Sequence, residues 1–467
     1  MLQSVVRRLG GGAIPGVAAL VVALVAVLVG APGMVPALAA QAPAVDSTTF
    51  PSTPLVAMGM QVDPRIATAL RDISSANIRH TDSVLVSFGT RHTMSDTISA
   101  TRGIGAARHF VYATLEKYSK ACGGCLRVEY DPAMMVVNRA PTKPTVNVVN
   151  VLAWLPGRDT SRVVVLGGHY DSCICSINPF DSVSNAPGAD DDASGSAAVM
   201  ELARVFSQRF PRGFDATVVF ALYAGEEQGL LGSTHLAQRL HDAGYHVAAG
   251  MADDMDGNVS ADDGRIDSTT VRLYGGDPDN GPARELMRYA WALDTLYTPA
   301  LRVLPVERLD RIFRGTDDIP FVLKGDAGIR FTERLENYKR QHRPDDVMAF
   351  VNFGYTANIA RLNGATIAAL ASAPPPPDSA RAVRETKVSG GQRWTMTWKP
   401  SPGATKYEVL VRRTTSPVWE KVYDVGNVTE FLLPDQLDDD WAAVRAVGAS
   451  GSRSLAVSVP APRAVTH

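Results

Sequence analysis

The sequence predicts an α/β domain with a mixed, mostly parallel central sheet flanked by helices, followed by a smaller all-β sandwich. Short apolar runs such as Arg162–Gly167 and Ala216–Tyr223 have the continuous hydrophobicity of strands buried on both faces, and stretches of helical period separate them. After the proline-rich run that follows Ser372, the pattern changes to short alternating segments divided by turn residues. The chain has 467 residues, 45% hydrophobic and 20% charged, which is the composition of a folded protein and excludes wholesale disorder. With 46 Lys+Arg against 48 Asp+Glu, nothing in the charge balance points to nucleic acid or to an anionic membrane surface as partner.

Taken in order, residues 1–40 have the three parts of a secretory signal peptide: Arg7 and Arg8, an apolar stretch from Gly16 to Ala31, and the small-x-small pattern Ala37-Leu38-Ala39. An uncleaved anchor is the alternative. Either way the folded part is expected outside the cytoplasm, secreted, periplasmic or at the cell surface, with no later segment inserted in a membrane. Residues 41–75 read as an N-terminal lead-in, rich in Pro and Ala up to residue 60, with helical spacing starting at Pro64 and running to about Tyr118.

The main domain is expected over 76–371. Leu126–Val137 and Thr145–Trp154 alternate as strands, and Arg162–Gly167 is a buried strand. Ser194–Phe210 reads as helix, Ala216–Tyr223 as strand, Leu230–Ala243 as helix, and His246–Ala252 and Val271–Tyr274 as strands. Gly281–Leu296 is helical, Ile329–Phe331 a short strand and Val347–Ala371 a long final helix. Residues 372–380 read as a stiff linker, and 381–460 as the β domain, with strands over 393–398, 406–412, 419–425, 430–433 and 441–447. The four cysteines fall as Cys122-Gly-Gly-Cys125 and Cys173-Ile-Cys175. Export makes disulfides the default over a zinc or redox site, with pairing within or between the couples left open.

Groups that carry chemistry gather at the ends of successive strands, where open α/β sheets place their sites. His169-Tyr170-Asp171 follows one strand, and Gly188-Ala-Asp190-Asp191-Asp192-Ala-Ser-Gly195 precedes a helix. Glu226-Glu227 follows the next strand, Asp253-Asp254-Met255 ends another, and His342 comes after the short strand at 329–331. Alone, each piece has an ordinary explanation: a packing histidine, a helix cap, a surface face. Together, imidazoles and carboxylates at one sheet edge make a divalent-metal site of N and O ligands suited to zinc.

The runs HYDS, PGADDDASG, AGEEQGLLGS and DMDG, followed by a late His, resemble the secreted dinuclear zinc aminopeptidases of the bacterial leucyl aminopeptidase type over about residues 80–370. The resemblance implies a zinc exopeptidase fold and two Zn²⁺ per chain. It implies His169 and Asp254 on one metal, Asp191 bridging both, Glu227 and His342 on the other, and Glu226 as general base. Asp171 would orient the His169 imidazole, and the Asp191–Asp192 peptide would be cis. Two metals about 3.5–4 Å apart can activate one water and polarise a scissile carbonyl. The late histidine departs from many relatives, standing as Gln341-His342-Arg343-Pro344 in place of a Tyr-His pair, with Tyr338 four residues earlier. Thr316-Asp317-Asp318 likewise stands where relatives have Ser-Asp-His. Residues 378–460 resemble a fibronectin type III domain through Trp398, Tyr407 and the run Val444–Gly451.

These features point to a secreted metallo-exopeptidase acting on the amino end of peptides. A carboxypeptidase or a single-zinc glutaminyl cyclase of the same fold is the alternative within the class, and a catalytically inactive surface-binding protein the alternative outside it. The remaining histidines, His80, His92, His109, His235, His241, His246 and His467, read as structural or surface residues.

Overall fold

The computed structural model describes residues 59–312, 314–385 and 393–460. The expected signal peptide at 1–40, the start of the 41–75 segment and His467 lie outside the described residues. Three helices come first: α1 (Pro64–Arg71), α2 (Ser75–Ser87) and α3 (Gly103–Ala121). Helix α1 falls inside the stretch expected to be a lead-in, yet it is part of the main fold. Asp63 caps it by accepting from the Arg65 N–H, Pro64 occupies its first turn, and Ile66, Ala69 and Leu70 are buried in the main core. Burying an Ile or Leu side chain is worth about 1.5–3 kcal/mol, enough to hold so short a helix in place.

There follow β1 (Arg127–Val136), β2 (Thr145–Leu155), β3 (Asp159–His169), α4 (Ala193–Arg209), β4 (Ala216–Tyr223), α5 (Leu231–Asp242) and β5 (His246–Asp253). Next come β6 (Thr270–Gly275), α6 (Pro282–Tyr297), β7 (Arg302–Val306), α7 (Ile319–Leu323), β8 (Gly328–Glu333) and α8 (Phe353–Ala371). The eight strands form one sheet in the order β1-β2-β4-β3-β5-β8-β6-β7. The pairs β3/β4, β3/β5, β5/β8 and β6/β7 are parallel, and β1/β2, β2/β4 and β6/β8 antiparallel. Strand β4 is buried along its whole length and β3 from Arg162 onward, as their unbroken apolar runs require.

Three features were not expected. Strand β7 (RVLPV) contains Pro305, which argues against a strand, but β7 lies at the sheet edge, where a missing N–H costs no ladder bond. Helix α7 has five residues, too few to show a period. Helix α8 starts at Phe353 and not near 347, because the Asn352 side chain accepts from the Tyr355 N–H and caps it there.

The β domain holds β9 (Asp378–Glu385), β10 (Arg393–Lys399), β11 (Ala404–Arg413), β12 (Lys421–Gly426), β13 (Glu430–Leu433), β14 (Asp440–Gly448) and β15 (Val457–Ser458). They form two antiparallel sheets, β13-β10-β9 and β12-β11-β14-β15, that share a core of Met396, Trp398, Tyr407, Val409, Leu433 and Val444. The stretch 372–380, expected to be a stiff linker, is docked. Ala373 is buried and its carbonyl accepts from Arg162, the Ser372 carbonyl accepts from Ser452, and β9 begins at Asp378. Helix α6 and the segment just before it meet the β domain directly: Trp419 Nε1 donates to Glu285, Arg288 to the Pro417 carbonyl and Arg412 to Asp279.

Candidate metal centre and active site

The site is built at the C-terminal ends of β3, β4 and β5, on the loops before α4 and α7, and on the loop after β8. Strand β3 closes with Gly167-Gly168-His169. A Cβ on Gly168 would sit 2.9 Å from the Asp192 carboxylate and from the Ser196 nitrogen, so glycine is what lets the start of α4 lie against the strand end. Gly195 repeats the device, since a Cβ there would stand 2.1 Å from the Asp253 carbonyl oxygen of β5. Asp192 caps α4 through the Gly195 N–H and accepts from the backbone N–H of His169 and of Met255, so one carboxylate ties β3, α4 and the end of β5 together. The Asp191–Asp192 peptide is cis.

The predicted site residues come together. His169 Nε2 lies 3.2 Å from Asp191 Oδ1 and 4.0 Å from both Asp254 Oδ1 and Glu226 Oε2. His342 Nε2 lies 3.0 Å from the other Asp191 oxygen, Oδ2, and 3.3 Å from Glu227 Oε2. The potential donor atoms form two triplets, His169–Asp191–Asp254 and Asp191–Glu227–His342, each with its atoms within 4.8 Å of one another. Asp191 belongs to both. Of the two neighbours that compete with Asp254 in sequence, Asp253 and Asp256 face each other, and neither belongs to a triplet. Cys173 and Cys175 approach Glu227, but they are joined in a disulfide, as are Cys122 and Cys125. Pairing is therefore within each couple.

Asp171 does more than face the imidazole. His169 Nδ1 lies 3.2 Å from the Asp171 carbonyl oxygen and 3.6 Å from its Oδ1. A carbonyl accepts only, so Nδ1 carries a proton and Nε2 is the nitrogen turned to the carboxylates and to any metal they hold. The Asp171 carboxylate also accepts from the backbone N–H of Glu226 and Glu227, 3.3 Å each, and from Thr93. It fixes the turn that presents both glutamates.

Sequence reasoning missed a further set of residues that hold the centre. Thr316 donates to Asp254 Oδ2 at 2.8 Å, and Arg330 lies 3.3 Å from Asp254 Oδ1. Gln341 Nε2 donates to Asp191 Oδ2 at 3.0 Å, and the Asp346 carboxylate accepts the backbone N–H of Asp190 and Asp191. Their signal was weak, polar residues in loops, although Asp346 stands four residues after His342. His342 itself has φ of +57°, a left-handed conformation that a non-glycine residue adopts at a cost and that here aims the imidazole inward.

Electrostatics favour a cation in this cluster. Burial pushes the Glu226 carboxyl well above the ordinary range, His169 opposing and Glu227 and Asp254 adding to it, and burial brings Glu227 up to about 7. Asp191 is held well below its usual value, burial opposing, by His342 and His169. Burial disfavours a charge on His169, yet Asp171, Asp191 and Glu226 more than offset it and raise its pKa well above normal. Glu227 Oε1 is buried without a hydrogen-bond partner. So many carboxylates taken out of water need compensating charge, and an N/O donor set of this kind fits zinc.

The model of peptidase family M28 matches residues 150–367. A probable zinc metalloprotease of Leptosphaeria maculans is 36% identical over 425 residues, covering 85% of this chain and 96% of the relative. A probable zinc metalloprotease of Pyrenophora tritici-repentis is 36% identical over 85% of this chain and 86% of its own length. Among solved structures, the LapA aminopeptidase of Legionella pneumophila is similar over 70% of this chain and 78% of its own, with TM-score 0.52 and 21% identity. A glutaminyl cyclase of Porphyromonas gingivalis has TM-score 0.50 and 18% identity over 63% of this chain and 97% of its own.

Proposed function

We propose, from the premise that this chain belongs to peptidase family M28, that it is a zinc-dependent exopeptidase removing residues from the amino end of peptides outside the cytoplasm. The observation that carries this reading is the Asp191 carboxylate, which offers one oxygen to each of two donor triplets with Glu226 beside them. His169, Asp191 and Asp254 would hold one zinc, and Asp191, Glu227 and His342 a second. Bound there, zinc supplies Lewis-acid polarisation of the scissile carbonyl and makes a water acidic enough to attack near neutral pH.

The chain's own groups do the rest. With Nδ1 facing the Asp171 carbonyl oxygen, His169 would present Nε2 to a metal, and Asp171 keeps it in the required tautomer. Glu226 is not needed as a ligand in either triplet, so its carboxylate is free to take the proton of the attacking water on Oε2 and hand it to the departing amine nitrogen. Thr316, Gln341 and Asp346 keep Asp254 and Asp191 from rotating away. The β domain, similar in its sequence pattern to fibronectin type III, contributes no residue to either triplet.

The test is hydrolysis of aminoacyl, N-blocked and carboxyl-terminal peptide substrates, with and without chelator. Chelator-sensitive cleavage restricted to free amino ends supports the reading. Cleavage of blocked peptides from the carboxyl end overturns it, and cyclisation of amino-terminal glutamine without hydrolysis would assign acyl transfer.

A further inference from the structure

Arg314 is a cation at the candidate centre with no ion-pair partner among the described residues. Its position is set from two sides. Two residues further on, Thr316 donates to Asp254 Oδ2. Arg314 Nη1 lies 3.5 Å from Gln341 Oε1, and the amide nitrogen of that same glutamine donates to Asp191 Oδ2 at 3.0 Å, one residue before His342. The guanidinium therefore stands near the Asp191–His342 pair, half-buried. Arg330 is committed to Asp254 and Asp310, Arg272 and Arg311 to Glu336, and Arg340 to Asn258 and the face of Phe350.

Burial opposes the charge on Arg314, but Asp191, Glu336, Asp254 and Glu226 lie within electrostatic reach and keep it protonated. The same charge is felt by His342 and by Tyr338, a residue that is 55% exposed. A guanidinium is a planar fork that matches a carboxylate with two parallel hydrogen bonds. The carboxylates around this one are already engaged by histidines, by Thr316 and by Arg330.

We propose that Arg314 receives a carboxylate of the substrate next to the scissile bond, so that the enzyme selects peptides carrying a negative group there. This deepens the exopeptidase reading and rests on it. The carboxylate is either the free carboxyl end of a dipeptide or an acidic side chain flanking the bond, and the chemistry at Arg314 is the same for both.

Kinetics of the zinc-loaded enzyme on leucyl-leucine, leucyl-leucinamide and leucyl-aspartyl-leucinamide distinguish the sources. Wild type is expected to favour one or both carboxylate substrates over leucyl-leucinamide by about 10–100-fold in kcat/KM, chiefly through KM. In Arg314→Gln that ratio should fall to about one, and Arg314→Lys should restore part of it. Preference for leucyl-leucine assigns the carboxyl end, and preference for the aspartyl peptide the side chain. A wild type with no carboxylate preference, or an Arg314→Gln loss equal on all three substrates, overturns the proposal. Calorimetric binding of leucyl-leucine and its amide to Glu226→Gln, with and without Arg314→Gln, separates the two levels. If wild type cleaves none of the peptides but the acid binds more tightly only when Arg314 is present, the peptidase reading fails and the carboxylate site stands. Equal binding of acid and amide overturns the site.

Discussion

Asp191 gives one oxygen to His169 and the other to His342, and groups outside the triplets keep it in that pose. Gln341 holds Oδ2, and the Asp346 carboxylate accepts the backbone N–H of Asp190 and of Asp191 itself. The same logic applies to Asp254 and Thr316. Thr316→Val keeps the shape of the side chain and removes the bond, so zinc affinity is expected to fall about 10–100-fold in competition with a chromogenic chelator. Glu226→Gln should behave differently, with metal content unchanged and kcat lower by about 10²–10⁴-fold. Near-wild-type turnover in that variant would remove Glu226 from the chemistry. His169, Asp191, Glu226, Glu227, Asp254 and His342 were all legible in the sequence, because each stands at or just beyond a recognisable strand or in a motif of fixed spacing. Thr316, Gln341 and Asp346 were not, since their hydrogen bonds depend on loops that approach each other only in the folded chain.

Close approach of elements, more than any single contact, sets the distance between β3, α4 and β5. Gly195→Ala would drive a methyl group into the Asp253 carbonyl oxygen, and backbone cannot yield as a flexible side chain can. The expected cost is about 1–3 kcal/mol in denaturant unfolding, together with weaker zinc binding, because Asp191 stands just before α4 and Asp254 just after β5. A variant as stable as wild type would show that the helix can move off the sheet. Strands β3 and β4 were readable because burial on both faces leaves no alternative composition. Strand β7 was not, because an edge tolerates Pro305, and the start of α8 was not, because a single Asn352 cap outweighs an apolar pattern that continues on either side.

On the scale of the whole molecule, the β domain is joined to the sheet domain through buried polar contacts. Tyr289 of α6 donates to the Arg453 carbonyl, and Arg453 with Arg445 encloses Glu408 of β11. Burial raises the Glu408 pKa, but the two guanidinium groups outweigh it and hold the carboxyl below its usual value. A carboxyl with a folded pKa below its unfolded value, about 4.3, stabilises the fold above that value and ceases to do so as pH falls through the folded pKa. Glu408→Gln should therefore cost about 3–5 kcal/mol near neutral pH, and less as the pH is lowered below about 4. Unfolding curves in which the gap stays constant with pH would deny the charge a role. The arrangement of the two domains could not be read from sequence, since a proline-rich run looks the same whether it is docked or free. The zinc stoichiometry of the intact chain tests most directly whether Asp191 is shared between two sites. Calorimetric titration of zinc into the chelator-stripped protein should end at two equivalents for wild type and one for His342→Ala, whereas a wild-type end point of one equivalent would contradict the shared carboxylate.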